Sequence, residues 1–242
     1  MRHLRPLRLF PLVLLLSACA APPVSYYSLA SAQPAPVVTT APAAAGNGSG
    51  NPAPPVHFEV APVGVPERLA RPQMVIRSRP ADSAGGAGTR VEVLEQQRWA
   101  SSFESELRDA FAVAIANRGG ALDVTRGGRL PGQPVYRIAI RVNHFDAVLD
   151  QQLSAGFGWT ITRSDDSRNA VCAMDVSQPA GVGMNALVQA VQQVVAGVAE
   201  RIALHVAQLE AGGTARCLAG ASGAPQAGSS MFRIAEPRPN LR

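Results

Sequence analysis

A mixed β-sheet with two long amphipathic helices laid against it is the fold this sequence predicts, in a single domain of the α/β class with α+β as the alternative. Three observations lead there. Short runs that alternate apolar with polar residues recur along the chain, as half-buried strands require. Two stripes of apolar residues, one spaced by four and one by three and four, mark helices. Strands and helices also follow one another in an order that layers a sheet and helices around one core. Length agrees: 242 residues suit one ordinary domain with extensions and exclude a large multidomain enzyme.

In chain order, Val56-His57-Phe58-Glu59-Val60, Gln73 to Arg77 and Arg90 to Leu94 alternate and are separated by Pro and Gly, which reads as three strands. From Trp99, the residues Phe103, Leu107, Phe111 and Ile115 follow at intervals of four, so all five share one helix face, and Gly119-Gly120 supplies the stop. Tyr136 to Val142 and Leu153 to Ile161 are longer alternating runs. Joined through 143–152 they form an antiparallel pair that Ala170 to Val176 extends. Leu187, Val191, Val194, Val198, Ile202, His205 and Leu209 make the second helix, closing at Gly212-Gly213. The folded body therefore spans 56–218, enough for one core. Dense Ala over 110–116 and 196–203 predicts close helix packing. Residues 219–242, mostly Gly, Ser, Ala and Pro, read as a loose tail in which only Met231 to Ile234 suggests docking.

Ahead of the body the signal is sharper. Met1 to Arg8 carries three Arg, and Leu9 to Leu16 is apolar apart from Pro11, the n-region and h-region of a secretory signal too short to span a bilayer. Leu16-Ser17-Ala18-Cys19 follows, the small-residue cleavage pattern ending in Cys that marks a bacterial lipoprotein signal. Residues 1–18 are then removed and the thiol of Cys19 takes a diacylglycerol thioether. Two or more acyl chains, at roughly 0.8 kcal/mol per buried methylene, hold a protein on a membrane stably. Ala20 stands where enteric lipoproteins retained in the inner membrane carry Asp, so the expected location is the periplasmic face of the outer membrane. An ordinary cleaved signal with a chance Cys is the plainer alternative. After the anchor come Tyr26-Tyr27-Ser28-Leu29 and a tract over 30–55 of mostly Ala, Pro, Ser, Thr, Gly and Asn, which reads as a disordered linker. If 26–29 dock as a strand, that tract is a loop inside the fold; if not, it is a tether averaging about 30 Å end to end. Two aromatics and a Leu suit a solvated leash poorly and favour docking.

Composition excludes some functions. All 22 basic residues are Arg, and the formal charge of +5 includes Arg2, Arg5 and Arg8 of the signal, so a mature chain is near +2 with its Arg scattered. That offers no basic face for nucleic acid. Chemistry is sparse. Outside the signal the His are His57, His144 and His205, none in a metal-ligand spacing. His144-Phe145-Asp146 puts His and Asp on one side of an extended segment, either to orient an imidazole or as a pair at a turn edge. His205 lies on the helical stripe as a half-buried packing residue. Asp165-Asp166 reads as a polar turn, lacking the further acids of an oxygen-ligand site. With no nucleophile elbow and no phosphate-cradling Gly loop, we assign no catalytic residue, metal or cofactor. With Cys19 acylated, Cys172 and Cys217 remain, an even number in an oxidising compartment. They form either a disulfide, contributing about 4 kcal/mol by loop entropy, or a buried apolar Cys172 and a stray thiol.

A family resemblance ties these pieces together. The lipobox, Tyr26-Tyr27-Ser28-Leu29, Val63-Gly64-Val65-Pro66-Glu67-Arg68-Leu69 running into Arg71-Pro72-Gln73-Met74-Val75, and Arg98-Trp99-Ala100 before a helix resemble the ABC-type transport auxiliary lipoprotein family, which includes PqiC-like lipoproteins. The likeness continues through Tyr136-Arg137-Ile138 to Val142, Phe145-Asp146, and Leu153 to Trp159-Thr160-Ile161. The tract after Leu29 is longer than such proteins usually carry, and the Cys pair is not a family mark. The resemblance implies a non-enzymatic outer-membrane lipoprotein working with a periplasmic MCE-domain protein, itself tied to an inner-membrane permease or ABC transporter, in moving lipids or other hydrophobic compounds between membranes. It brings no catalytic residue, and a homo-oligomeric ring is compatible with it. Arg71-Pro72 is either a rigid lead into a strand or a contact for a partner carboxylate. Rival roles are a periplasmic lipid-binding carrier and a structural envelope lipoprotein acting on cell-wall synthesis.

Overall fold

The computed structural model describes residues 23–30, 56–77, 90–119, 121–125, 127–128, 131–166, 168–214 and 217. The expected signal peptide, Cys19, residues 31–55 of the Ala/Pro tract and the tail with Met231 to Ile234 lie outside the described residues.

Strand β6, Val135–Val148, is the spine. It pairs antiparallel with β7, Gln152–Arg163, which pairs antiparallel with β8, Asn169–Pro179. On its other side β6 runs parallel to β2, His57–Val60, and β2 runs parallel to β5, Leu122–Asp123. A second sheet has the order β1-β4-β3, formed by Ser25–Tyr27, Val91–Trp99 and Gln73–Arg77, with β1 parallel and β3 antiparallel to β4. Helices α1, Phe103–Gly119, and α2, Met184–Glu210, pack on each other and on the five-stranded sheet. The result is one α/β domain.

Alternation explains which sheet face the helices cover. Leu153, Ala155, Phe157, Trp159 and Ile161 of β7 all point inward and are buried, while Thr160 and Gly158 between them are not. Phe157 meets Phe111 of α1 edge to face at 5.8 Å. Ala110, Ala112 and Ala199 are buried among the helices, as the Ala-rich segments predict. Asp150 closes the β6–β7 hairpin at φ 60, a left-handed conformation Asp tolerates better than most residues, and its Oδ1 accepts the Gly183 amide at 2.7 Å.

Four sequence expectations are corrected. The segment 143–152, read as a connection, is strand as far as Val148, because a bulge lies between Val142 and His144. Before it, Tyr136, Ile138, Ile140 and Val142 face the core; after it, Phe145 and Ala147 do. One extra residue shifts the alternation by one and disguises a single strand as two pieces. Accordingly His144 and Asp146 sit in a strand and not at a turn edge. Trp99, placed at the head of the first helix, instead ends β4: its amide donates to the Pro72 carbonyl at 2.8 Å, and the Ala100 amide donates to Tyr27 at 2.8 Å. The helix starts after Ser102, whose Oγ accepts the Ser105 amide at 3.2 Å as an N-cap. Trp99 still stacks on Phe103 at 5.1 Å, so the spacing of four was a genuine contact in a different element. Finally, β4 runs well past Leu94, and β5 carried no alternation to reveal it.

Phe157→Ala is expected to destabilise the domain by about 3–5 kcal/mol, since Phe157 is 1% exposed, while Val171→Ala on the outward face, 70% exposed, changes stability little. Urea denaturation of the two variants checks the assignment of faces; equal losses would refute it.

Candidate functional site

The residues nearest the predicted lipid anchor are held to the body by one buried carboxylate. Glu106, in the first turn of α1, is 7% exposed. Its Oε2 accepts hydrogen bonds from the Leu29 amide at 2.8 Å and the Ser28 hydroxyl at 2.9 Å, and its Oε1 from the Ser101 amide at 3.1 Å and the Ser101 hydroxyl at 2.8 Å. Four donors and a helix N-terminus make burial of the charge affordable. Around this latch, the Tyr27 hydroxyl donates to Gln97 Oε1 at 2.7 Å, Gln192 of α2 donates to the Ser28 carbonyl at 3.3 Å, and Leu29 is 2% exposed. Segment 26–29 is therefore docked, its strand being Ser25–Tyr27, and the tract after it joins the two sheets. Sequence reasoning missed Glu106. The available signal was Ser101-Ser102, a capping pair that moves the start of the helix to Phe103 and puts Glu106 in its first turn.

Asp146 binds the two sheets together. Arg77 of β3 donates to Asp146 Oδ1 from Nε at 3.2 Å and from Nη2 at 2.5 Å, while Arg68 donates to the Phe145 carbonyl at 3.3 Å and lies 3.8 Å from Asp146. Thus Asp146 serves the fold and is not the partner of His144. Instead His144 Nδ1 stands 3.7 Å from Asp175 of β8, across Gly156, where a Cβ would come within 2.5 Å of both side chains. His205 is buried, not half-buried, and its Nδ1 accepts the Trp159 indole N–H at 3.2 Å. Asp165-Asp166 is a polar turn: Asp165 meets Arg163 at 2.9 Å, and Asp166 Oδ1 accepts the Arg168 amide at 2.8 Å, the main reason its carboxyl titrates below the usual range. Among the described residues no group of three metal-ligating side chains converges. Pro72 props β4 through its carbonyl, and Arg71 is exposed.

Cys172, buried on β8, and Cys217 are brought together with Cα atoms 5.5 Å apart and their sulfurs in bonding contact. Cys19 lies outside the described residues. A cleft of about 210 Å³ opens between Phe58, Ile115, Val206 and Ala207, with Glu210 at its rim. Nearby Tyr136, 1% exposed, has its pKa pushed up to about 12, first by burial and then by the negative charge of Glu210. No helix among the described residues is long and apolar enough to cross a membrane.

The model of a family described as ABC-type transport auxiliary lipoprotein component matches residues 27–203. A solved structure described only as that of an uncharacterized protein shares the fold at a TM-score of 0.51 and 16% identity, covering 76% of this chain and 99% of that one. A Xanthomonas campestris protein assigned to DUF330 reaches a TM-score of 0.48 at 20% identity, covering 67% of this chain and 93% of its own. A candidate lipoprotein from Caulobacter crescentus gives a TM-score of 0.27 at 20% identity, over 45% of this chain and 83% of that one. No curated protein matches the sequence.

Two measurements check the site. Glu106→Ala leaves the Leu29 and Ser101 amides without their acceptor and is expected to cost about 2–4 kcal/mol, with amide exchange at Leu29 accelerated; unchanged exchange there would sink the latch. For Tyr136, the unfolded phenol ionises near 10.0 and the folded one near 12. The neutral form is thus favoured by folding, so stability holds below pH 10 and falls as pH rises towards 12. Denaturant titrations of wild type and Tyr136→Phe should show the variant losing that part of the decline.

Proposed function

The chain belongs to the ABC-type transport auxiliary lipoprotein component family, and from that premise we propose that it is a non-enzymatic lipoprotein acylated at Cys19. On this reading it sits on the periplasmic face of the outer membrane and docks the distal end of an MCE-domain assembly, which an inner-membrane permease or ABC transporter serves from the other side. The cargo class is lipid or another hydrophobic compound. The observation that carries the reading is the pairing of Leu16-Ser17-Ala18-Cys19 with a strand latched into the body only six residues later. A family member built this way holds its folded domain at the membrane that holds its anchor. Ala20 in the second mature position supports outer-membrane sorting.

A lipid-carrying domain is the second reading, and the apolar cleft beside Phe58 favours it. At about 210 Å³ that cleft falls short of the 300–1,000 Å³ or so typical of ligand sites, and the docking role is preferred. Native mass spectrometry separates the two: copurified phospholipid would favour the carrier. We also propose that Cys172 and Cys217 are covalently bonded in the secreted protein, closing a loop with a sequence separation of 45 and contributing about 4 kcal/mol. Intact mass should rise by two hydrogens on reduction, whereas free thiols would leave it unchanged.

The membrane assignment is tested by metabolic labelling with a palmitate analogue. Wild-type protein should carry label and fractionate with the outer membrane, and Cys19→Ala should lose both. Crosslinking in cells should recover an MCE-domain protein; recovery of wall synthases instead would move the assignment to cell-wall synthesis.

A further inference from the structure

The extended segment that leads into the fold has two distinct sides. Tyr27 and Leu29 turn inward, Leu29 fully buried and Tyr27 packed against the core. Val24 and Tyr26, two residues apart and hence on the same side of an extended chain, point outward at 42% and 64% exposure. Tyr26 pairs in register with Arg98 of β4, whose side chain is one-third exposed and contacts the Glu95 carbonyl at 2.9 Å and carboxylate at 3.8 Å. Beyond Arg98 comes Gln73 of β3. This is the composition of an interfacial contact: an aliphatic residue, a Tyr with a polar tip, and an Arg with a long apolar stem.

What covers this patch follows from chain length. Ser25 lies only six positions after Cys19, a span of at most about 20 Å when fully extended. Downstream, the strand cannot swing away, because Glu106 grips Ser28 and Leu29 and Ala100 hydrogen-bonds Tyr27. An acylated Cys19 therefore brings β1 close to the bilayer surface.

We propose that the outward side of this segment, Val24 and Tyr26 with Arg98 beside them, is a docking surface for the headgroup layer of the same bilayer that holds the acyl chains. The proposal rests on acylation of Cys19. It makes the anchor two-part: acyl chains hold the chain at the membrane, and the patch sets the tilt of the body against it. Glu95, beside Arg98, offsets its charge, so the contact depends on Tyr26 and Val24 entering the interface and not on a preference for anionic lipid.

The full-length acylated protein, carrying Tyr26→Trp, is reconstituted into vesicles of phosphatidylethanolamine and phosphatidylglycerol with or without brominated acyl chains. Native Trp99 and Trp159 are buried, and wild-type emission is subtracted as background. Leu204→Trp is the control, on α2 about 18 Å along the helix from Gln192, which touches Ser28. The expected result is loss of more than half of the Tyr26→Trp reporter's emission in brominated vesicles, with little change for Leu204→Trp. Vesicle-bound protein in which both reporters are quenched equally would overturn the proposal while leaving the anchor intact. So would a blue-shifted but unquenched Tyr26→Trp reporter, which would assign the patch to a protein contact. Protein that remains in the supernatant would overturn the acylation reading, and this surface with it.

Discussion

Burying a carboxylate is costly unless the protein replaces the water it loses, and the way Glu106 is satisfied organises much of this molecule. Its donors come from the end of the first strand and from the turn ahead of α1, two segments more than 70 residues apart in sequence. A three-residue strand such as β1 is too short to be stable by pairing alone. Bound by the Ser28 hydroxyl and the Leu29 amide just after it to a helix that is anchored in the core by Phe103, Leu107, Phe111 and Ile115, it becomes part of the rigid body.

The same economy appears where the two sheets meet. β6 is long enough to serve both, pairing with β2 along its first half and facing β3 along its second. The bulge at Asn143 makes this workable: by shifting the alternation, it keeps Phe145 and Ala147 in the core while Asp146 is presented to Arg77 and Arg68. Both guanidiniums are partly exposed, so their attraction to Asp146 is modest in energy. Its value lies in direction, since the fork of Arg77 fixes β3 relative to β6 in a way apolar contacts do not.

For a protein proposed to work from a membrane, these features bear on how force and position are transmitted. A long tether would let the body sample a wide volume above the bilayer. A latched strand only six positions past the proposed acylation site Cys19 would do the opposite, and the Ala/Pro tract, which looks like a leash in sequence, falls between β1 and β2 in chain order. A partner spanning the periplasm would then meet a platform of defined height.

Much of this was legible in the residues themselves. The apolar spacing of α2 runs from Leu187 to Leu209 and lies inside the helix Met184–Glu210, and the alternation of β7 and β8 placed those strands, because a periodic signal over ten or more residues reports burial directly. The docking of Tyr26 to Leu29 was likewise expected from two aromatics and a Leu. What stayed hidden was non-local. Trp99 fits a helix period and belongs to a strand, because its amide is claimed by Pro72, 27 positions away. His144 and Asp146 fall beside each other in sequence but find Asp175 and Arg77 as partners, because a bulge and a second sheet decide what each one meets. By itself the sequence determined the class of fold and the two helices, since these depend on local pattern. Tertiary structure alone decided what holds Ser28 and Leu29 to the body, because the carboxylate that grips them comes from a different part of the chain.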